Sequence, residues 1–550
     1  MTRRAHRAAA CALLVALVAP VAAQTILPPP PVPPGNPLTP QKALLGKALF
    51  WDEQLSSSRS MACGTCHDFT SGGSDSRLTT PAHPGPDGIF GNADDIHGSP
   101  GVVRHDAQGR FVSDPLFGIR PQATSRKAPS MINAAYGIEL FWDGRASDQF
   151  FNPVTGSLIL GSGAALESQI AEPLIDGTEM SHIGRTWTEI ATDIANLQPL
   201  ALADQIPATL QSFIQGQTYA QLFQQVFGSP GVTPVRIIFA IASYERTLIS
   251  DQSPYDLFLT GQGTLTSAES FGLFEFQGLC MSCHQDIETQ VLATGPVLHD
   301  FRNVGVRPLS EDTGRFQVTG LPLDMGRFKV PGLRNVALRA PYFHNGGMPT
   351  LTDVVDFYAR GGDFHINQDV LVFSIPGQVS PTDRVNLVAF LNALTDPRVA
   401  QGLPPFDRPR LWSEGANTPA VTGIGTVGTA GMTPSSIAVL PAYNGNQKFT
   451  VGVDNVPVNS FYYLVLDSVL NPTPTVILGQ NVYLGQTPNM AFVGLGLTQG
   501  SGNDGYGMAT LSIPAGPSLT GLTFYGQWLM TDPQGPFGLT VSDAFSMPIF

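Results

Sequence analysis

Cys63-Gly64-Thr65-Cys66-His67 and Cys280-Met281-Ser282-Cys283-His284 are two copies of the pentapeptide Cys-x-x-Cys-His. Two thiols at this spacing on one short helical turn add to the two vinyl groups of a heme, and the adjacent histidine supplies an axial nitrogen to the iron. A single Cys-x-x-Cys would also suit a redox dithiol or half of a zinc site. Two copies that each end in histidine, with only Cys11 besides, predict two covalently bound heme c groups.

The N-terminus predicts export. Residues 1–23 carry three arginines, then the apolar run from Cys11 to Ala19, then small residues up to Ala23, which is the pattern of a cleaved signal peptide. The apolar run is too short for a transmembrane helix, although an uncleaved anchor is the alternative. We therefore expect a periplasmic or secreted protein whose mature chain has no membrane span.

The chain is acidic, with a formal net charge of −14 over 550 residues. Removal of the N-terminal arginines makes the mature chain more acidic still. This balance argues against a nucleic-acid partner, because the phosphate backbone attracts basic proteins. It would suit docking of a small, basic electron-donor protein of the cytochrome c or cupredoxin type.

Composition divides the mature chain into four parts. Residues 24–40 form a Pro-rich linker, which is typical of an extended, semi-rigid spacer. Residues 41–252 and 253–405 each contain one heme motif and segments of helical period, such as 42–50, 235–248 and 384–395. Residues 415–550 contain no His, Cys or Arg, and their alternating β-prone runs between turns predict an antiparallel sandwich without catalytic groups.

Three further segments carry a specific resemblance. They are Leu45-Gly46-Lys47-Ala48-Leu49-Phe50, Phe141-Trp142-Asp143-Gly144-Arg145-Ala146, and Phe328 to Val336 running into Pro341-Tyr342-Phe343-His344. With these, residues from about Leu38 to Arg398 resemble the bacterial diheme cytochrome c peroxidase/MauG family. The resemblance implies a mainly α fold of two cytochrome-c-like heme domains, followed here by the all-β domain.

The resemblance also implies an activity. In the family, the N-terminal heme reacts with hydrogen peroxide and the C-terminal heme handles electrons. The distal Gln and Glu of the family fall on Gln169 and Glu179, and we expect Glu179 to shuttle the proton that O–O cleavage requires. The Trp of the second segment, Trp142, is placed between the two porphyrins as an electron relay. A solvated loop carboxylate and an ordinary core tryptophan are the alternatives for Glu179 and Trp142.

The resting ligand of the first heme is predicted from spacing within the family. His83 lies where the family places a second iron-binding histidine, and His97 and His105 are competitors. A Gly/Asp-rich loop follows His83. It offers calcium ligands at Asp87, Asn92, Asp94 and Asp95, but it lacks the EF-hand pattern, so a solvated turn is favoured.

The second heme shows the most consequential departure. Classical peroxidases of the family place a Met opposite the proximal histidine, whereas alignment from Thr350 puts Tyr358 there, as in the MauG branch. A phenolate favours oxidised iron and lowers the reduction potential, unlike a thioether. The alternative is that Tyr358 is a half-buried aromatic residue and that Met348 or Met325 binds the iron.

Calcium between the hemes is doubtful. Family members use an Asn side chain where this chain has Lys127, with backbone oxygens that correspond to Arg339 and Pro341. An ammonium group does not ligate calcium and would occupy its place. The function expected from the resemblance is a peroxide-dependent oxidoreductase. The alternative is a non-catalytic electron-transfer or redox-sensing cytochrome, with both irons permanently six-coordinate.

Overall fold

The computed structural model describes residues 27–77, 82–284, 301–501 and 504–550. The predicted signal peptide, residues 1–23, lies outside this range. The described α-helices, in chain order, are α1 (Pro40–Phe50), α2 (Cys63–Cys66), α3 (Ala165–Ile170), α4 (Trp187–Ile194), α5 (Ala208–Ile214), α6 (Tyr219–Phe227), α7 (Pro234–Glu245), α8 (Pro254–Leu259), α9 (Ser267–Leu279), α10 (Phe316–Thr319), α11 (Leu351–Ala359), α12 (Val370–Phe373), α13 (Pro381–Asn392) and α14 (Pro397–Ala400).

Six short strands lie between the helices, and the described chain after residue 420 is mostly strand. The described strands are β1 (Pro100–Val103), β2 (Pro121–Ala123), β3 (Phe150–Phe151), β4 (Leu158–Leu160), β5 (Phe301–Arg302), β6 (Phe328–Lys329), β7 (Val421–Thr422), β8 (Ser435–Ile437), β9 (Phe449–Val456), β10 (Phe461–Asp467), β11 (Leu470–Ile477), β12 (Gln480–Leu484), β13 (Ala491–Leu497), β14 (Gln499–Ser501), β15 (Asp504–Leu511), β16 (Thr523–Thr531) and β17 (Leu539–Pro548).

Each heme motif follows a helix that crosses a second helix at close range. Helix α1 packs on α7 ahead of the first motif, and α9 packs on α13 ahead of the second. A Cβ atom at Gly46 of α1 would lie 1.9 Å from the carbonyl oxygen of Ala240, and one at Gly272 of α9 would lie 1.9 Å from that of Asn386. Both crossings therefore require glycine, because the two backbones are in contact.

The segments after the two motifs also match each other. Asn133 and Asn335 both have a left-handed backbone, with φ of 62° and 60°, and each precedes a short 3-10 helix. Further along, Phe141 and Phe343 have φ of 64° and 67°. The two heme-bearing halves thus repeat one backbone path, although few side chains are shared.

Three hydrophobic cores organise the chain. The first surrounds α1, α4, α5, α6 and α7, and the second surrounds α9, α11 and α13. After α13 the chain returns to the first core, which Val399, Phe406 and Leu411 join. The division at residue 405 suggested by composition therefore cuts through a segment that packs with the first heme motif, because burial follows the return path and not the sequence.

The C-terminal region is a pair of antiparallel sheets with a shared core. One sheet has the order β13-β10-β16-β17-β7 and the other β14-β15-β9-β8. Val451 of β9 shares this core with Leu464, Trp528 and Phe545 of the other sheet. The sequence predicted such a sandwich, and the core between the two sheets explains the apolar residues of their strands.

The sandwich is docked on the first heme half. The loop between β1 and β2 inserts Phe111 and Ile119 into the core of the sandwich. Beside them, Arg120 forms an ion pair of 2.6 Å with Asp454. This contact ties the β-rich region to the wall of the first heme site.

The Pro-rich segment before α1 is packed against the protein. Asn36 is fully buried and donates to the Glu167 carboxylate at 2.8 Å, and the carbonyl of Pro28 accepts from the Tyr136 hydroxyl at 2.6 Å. The described part of the predicted linker is thus a strap on the first domain, because its carbonyl groups find donors there. Among the described residues, no helix combines the length and apolar character that a membrane span needs.

Candidate active site

A cavity of about 640 Å³ lies beside the first motif. Its apolar walls include Phe50, Leu166, Ile170, Leu174 and Met180. It also collects residues predicted from separate parts of the sequence, namely Cys63, Cys66, His67, His83, Lys127, Trp142, Gln169, Glu179 and Arg339. Two thiols and a histidine at the wall of a large apolar cavity are the donor set that a covalently bound heme requires.

His67 is held in the tautomer that binds iron. Its Nδ1 lies 3.1 Å from the carbonyl oxygen of Gly73, and a carbonyl only accepts hydrogen bonds. Nδ1 therefore carries the proton and Nε2 keeps its lone pair for a metal. Burial also lowers the pKa of His67, which favours the neutral ring that a ligand needs.

The cysteines of the first motif are fixed by a short capped helix. Thr65 Oγ1 accepts a hydrogen bond from the backbone N–H of Ala62 at 2.8 Å, which closes the first turn of α2. Cys63 and Cys66 are half-buried free thiols at the two ends of that turn. One helical turn thus presents both sulfur atoms to the same cavity.

Glu179 lines the cavity from a loop after α3. The loop is fixed by Asp176, whose Oδ1 accepts from the Glu179 N–H at 2.9 Å. Burial first, and then the charge of Asp176, raise the pKa of the Glu179 carboxyl to about 7, against a lowering by Arg145. A carboxyl group that titrates near neutral pH both accepts and donates a proton under working conditions.

Gln169 is the second distal residue. It lies near the end of α3 and lines the same cavity as Glu179. Its amide adds a neutral donor and acceptor to the cavity without a charge of its own. Gln169 and Glu179, which lie ten positions apart in the sequence, therefore line one cavity.

His83 also lines the cavity, and its hydrogen bonds decide which ring nitrogen is free to bind iron. Its backbone pairs with Ile96, which closes the Gly/Asp-rich loop, and its ring lies 5.9 Å from that of Phe117. The Gly85 N–H donates to Nδ1 of His83 at 3.2 Å. Nε2 therefore carries the proton of the neutral ring, so the ring must leave Gly85 before Nε2 binds iron.

The competing histidines differ. His105 uses both ring nitrogens, Nδ1 with the carbonyl of Val103 at 2.6 Å and Nε2 with the Ser57 hydroxyl at 2.9 Å. His97 keeps a buried Nδ1 that has no hydrogen-bond partner among the described residues. His97 is therefore the remaining competitor of His83, whereas His105 is occupied.

Several carboxylate oxygens of the acidic loop after His83 accept hydrogen bonds within the loop, whereas the buried Oδ1 of Asp95 has no hydrogen-bond partner among the described residues. Asp87 accepts from the Asn92 amide at 2.8 Å and Asp95 accepts from the Gly91 N–H at 2.8 Å. The described residues contain no group of three His, Cys, Asp or Glu side chains arranged to hold a metal. The solvated turn therefore stays a prediction, with a calcium site as its alternative.

The second motif repeats the arrangement of the first. Burial lowers the pKa of His284 to about 4, and the ring is bonded to the carbonyl of Pro331. The ring of Phe276 lies 6.3 Å away, as that of Phe50 lies 6.5 Å from His67. Residues 285–300, which follow this motif directly, lie outside the described part of the chain.

Tyr358 lies near the second pair of cysteines. Burial raises the pKa of its hydroxyl, and Cys283 and Cys280 are close enough to add to this rise. Met348 packs on the same core as Cys280, whereas the carbonyl of Met325 accepts from Asn367 at 2.7 Å. Both Tyr358 and Met348 thus remain near the motif.

Trp142 lies where the two halves meet. Its indole N–H donates to the carbonyl of Lys127 at 2.7 Å, and its own carbonyl accepts from the Lys329 N–H at 2.7 Å. Its ring lies 6.3 Å from that of His344. Trp142 is therefore fixed by hydrogen bonds to both the first and the second heme half.

Comparison with known proteins supports the family resemblance. A family model described as di-haem cytochrome c peroxidase matches residues 40–264. The chain is thus similar to the diheme cytochrome c peroxidase/MauG family. The prediction of two c-type hemes is confirmed by these similarities.

Similar proteins include two curated relatives from bacteria. The methylamine utilization protein MauG of Methylorubrum extorquens is 29% identical over 381 residues, which cover 68% of this chain and 84% of the relative. The cytochrome c551 peroxidase of Pseudomonas aeruginosa is 29% identical over 378 residues, with the same coverage of 68% and 84%. A solved MauG-like protein associated with microbial copper homeostasis is 26% identical, with a TM-score of 0.49, and the match covers 69% of this chain and 96% of that one.

Against the family pattern, the structure adds residues that the sequence reasoning missed. Lys329, Glu245 and Arg334 also line the cavity, and burial raises the pKa of Glu245 to about 8. A signal for Lys329 was present, since it precedes Pro331 as Lys127 precedes Pro129. Comparison of the segments that follow the two motifs would have found it.

Proposed function

We propose that this protein is a diheme c-type peroxidase or peroxide-dependent oxidase, acting in the periplasm or outside the cell. His67 would hold the heme at which hydrogen peroxide reacts, and His284 would hold the heme that transfers electrons. The observation that carries the proposal is Glu179, a carboxyl group with a pKa near 7 in the same cavity as His67, Cys63 and Cys66. The names of the cytochrome c peroxidase relatives agree with this chemistry.

The heme iron supplies the site at which peroxide binds and accepts two electrons. Hydrogen peroxide, two electrons and two protons give two molecules of water. Glu179 takes the proton from the near oxygen and returns it to the far oxygen, which leaves as water. Gln169 orients the peroxide beside Glu179, while Leu166, Leu174 and Met180 exclude bulk water from the cavity.

Trp142 would relay electrons between the two hemes. Its indole ring is fixed by the hydrogen bond from its N–H to Lys127, in contact with both heme halves. The donor is proposed to be a small basic redox protein, because the acidic chain attracts such a partner.

Tyr358 distinguishes the peroxidase and oxidase versions of this proposal. An anionic phenolate on the second iron favours the oxidised state. A His/Tyr heme is a poor store for the high-potential electron that a classical peroxidase keeps, and it suits sharing of oxidising equivalents between the hemes. The proximity of Tyr358 to Cys280 and Cys283 supports this assignment.

The test adds one equivalent of peroxide to the oxidised holoprotein and follows the heme absorption in time, with and without a reduced cytochrome donor. Rapid formation of a long-lived, doubly oxidised state supports the oxidase version. Fast, repeated oxidation of the donor supports the peroxidase version. Two invariant low-spin hemes that ignore peroxide would leave a non-catalytic electron carrier.

A further inference from the structure

Two lysines occupy equivalent positions in the two heme halves. Lys127 stands two residues before Pro129, and Lys329 stands two residues before Pro331. Each of these prolines offers its carbonyl to the iron-binding histidine of its own half. The backbone path that positions the histidine therefore also positions one lysine per half.

The same two lysines join the halves. The N–H of Lys127 donates to the carbonyl of His344 at 2.7 Å, and the N–H of Lys329 donates to the carbonyl of Trp142 at 2.7 Å. These two contacts are counterparts under the internal repeat. They bring both lysine side chains to the cavity wall at the junction.

Arg339 completes a cluster of three cations. It lines the cavity with both lysines, and its positive charge acts on each of them. Burial lowers the pKa of Lys127 and of Lys329 to about 8, and that of Arg339 to about 10. Three like charges in a low-dielectric site repel one another and are costly without an anion.

The polar contacts that the cluster makes are neutral. Lys127 Nζ donates to the Ser74 hydroxyl at 3.0 Å and to the carbonyl of Asp75. Arg339 donates to the carbonyls of Gly332 and Arg334, and its buried Nε has no hydrogen-bond partner among the described residues.

Ion pairing separates this cluster from another cation in the cavity. Within the described ranges, Lys127, Lys329 and Arg339 form no ion pair. By contrast, Arg126 is paired with Asp312 and Asp143, each at 2.6 Å. Asp75 and Glu139 attract Lys127 and Lys329 only from a distance, because Asp75 is paired with Arg77 at 2.6 Å and Glu139 with Arg315 at 3.0 Å. Among the described residues, the three cations therefore lack a carboxylate in direct contact.

We infer that Lys127, Lys329 and Arg339 form a carboxylate-binding cradle for the propionate groups of the two hemes. Propionates are the anionic groups that a heme brings into such a cavity, and two hemes bring four. Charge-assisted hydrogen bonds from buried ammonium and guanidinium groups to carboxylates are strong. The cradle makes a bridging divalent cation unnecessary. It rests on the presence of two hemes and not on the peroxide chemistry.

The test measures the reduction potentials of both hemes in holoprotein variants. Lys127→Gln, Lys329→Gln and Arg339→Gln each keep a hydrogen-bond donor but remove a positive charge, so the ferric state gains stability and at least one heme potential shifts downward. Lys42→Gln is the control, because Lys42 is also buried but contacts Asn36 and Pro37 away from the cavity. Treatment of the wild type with a chelator leaves both potentials and spectra unchanged.

Potentials equal to those of the wild type in all three cavity variants would overturn the inference, as would a spectrum that changes on chelation and recovers with calcium. If the variants fail to take up heme, a second measurement on the wild type tests the cradle. It records redox-induced infrared difference spectra with heme that is isotopically labelled at its carboxyl groups. Label-sensitive bands of ionised carboxylates at neutral pH support the cradle, and bands of protonated propionic acid contradict it. Neither readout depends on peroxide turnover. Failure of the cradle can therefore be distinguished from failure of the proposed peroxidase activity.

Discussion

The backbone N–H of Lys329 donates to the carbonyl of Trp142 at 2.7 Å, and this hydrogen bond joins the second heme half to the residue that lies between the two. The indole N–H of Trp142 is tied in turn to Lys127 of the first half. Both the backbone and the ring of Trp142 are therefore fixed by groups that also line the heme cavity. A residue held in this way has a constant position relative to both hemes, as an electron relay needs.

Replacement of the Trp142 ring separates electron transfer between the hemes from the reaction with peroxide. We expect Trp142→Phe to react with the first equivalent of peroxide at the wild-type rate but to oxidise the donor more slowly, as measured by stopped-flow absorption. Trp187→Phe is the matched control, because it also removes a buried indole hydrogen bond, here to Ala171 at 3.0 Å, outside the cavity wall. Each variant should lose about 1 kcal/mol of stability. Equal donor rates in the two variants would remove Trp142 from the electron path.

The proton role of Glu179 has a kinetic signature. Glu179→Gln should slow peroxide consumption by about 10²-fold or more, because the amide neither takes nor returns a proton. The wild-type rate should rise as the pH passes through about 7, where the carboxylate forms, and the variant should lose this dependence. Glu172→Gln, on the same loop but paired with Arg145 at 2.8 Å, serves as the control and should stay near the wild-type rate. A fast Glu179→Gln enzyme would contradict the assignment.

The resting ligand of the first heme is decided by spectroscopy. If His83 leaves Gly85 and binds the iron, His83→Ala should convert that heme from low spin to high spin in the fully oxidised protein, as electron paramagnetic resonance would show. His97→Ala should leave the signal unchanged. The reverse result would make His97, with its unpartnered Nδ1, the ligand.

The second heme is tested in the same way. Tyr358→Phe removes the phenolate, so the absorption spectrum of that heme should change and its reduction potential should rise. Tyr342→Phe is the control, since Tyr342 belongs to the hydrophobic core against which Cys280 packs. An unchanged spectrum in Tyr358→Phe, together with an altered one in Met348→Leu, would assign the ligand to Met348.

A buried carboxyl group outside the heme cavity makes stability depend on pH. Glu53 accepts from the Trp412 N–H at 2.6 Å and from the Ser413 N–H at 3.1 Å, and burial raises its pKa to about 7. Because the folded pKa exceeds the unfolded one, its contribution to stability is fully present below about 4.5 and is lost as the pH rises through about 7.

The measurement is the thermal unfolding midpoint against pH. Glu53→Gln should flatten the decline between these two values, since the amide does not titrate. Glu414→Gln, a more exposed carboxyl paired with Arg408, should keep the wild-type slope. Identical slopes in wild type and Glu53→Gln would show that other groups set the dependence.

The sequence was sufficient to predict those features that depend on residues close together in the chain. The two pentapeptides specify the number of hemes and predict their attachment and the proximal ligands His67 and His284, because this chemistry lies within five consecutive residues. Helical period located the cores of α1, α7 and α13, and β-prone runs between turn residues located β9 and β10. The family resemblance then placed Glu179 and Gln169, which the structure brings to one cavity.

Tertiary structure decided what depends on residues far apart in the chain. The near-neutral pKa of Glu179 and the lowered pKa values of Lys127 and Lys329 come from burial, which composition does not reveal. The return of residues 397–412 to the first core and the insertion of Phe111 into the β sandwich are likewise long-range packing. The sequence alone thus determined which cofactor this protein carries. Only the fold decided which charges and protons surround it, because electrostatic energies depend on distances and solvent exposure in three dimensions.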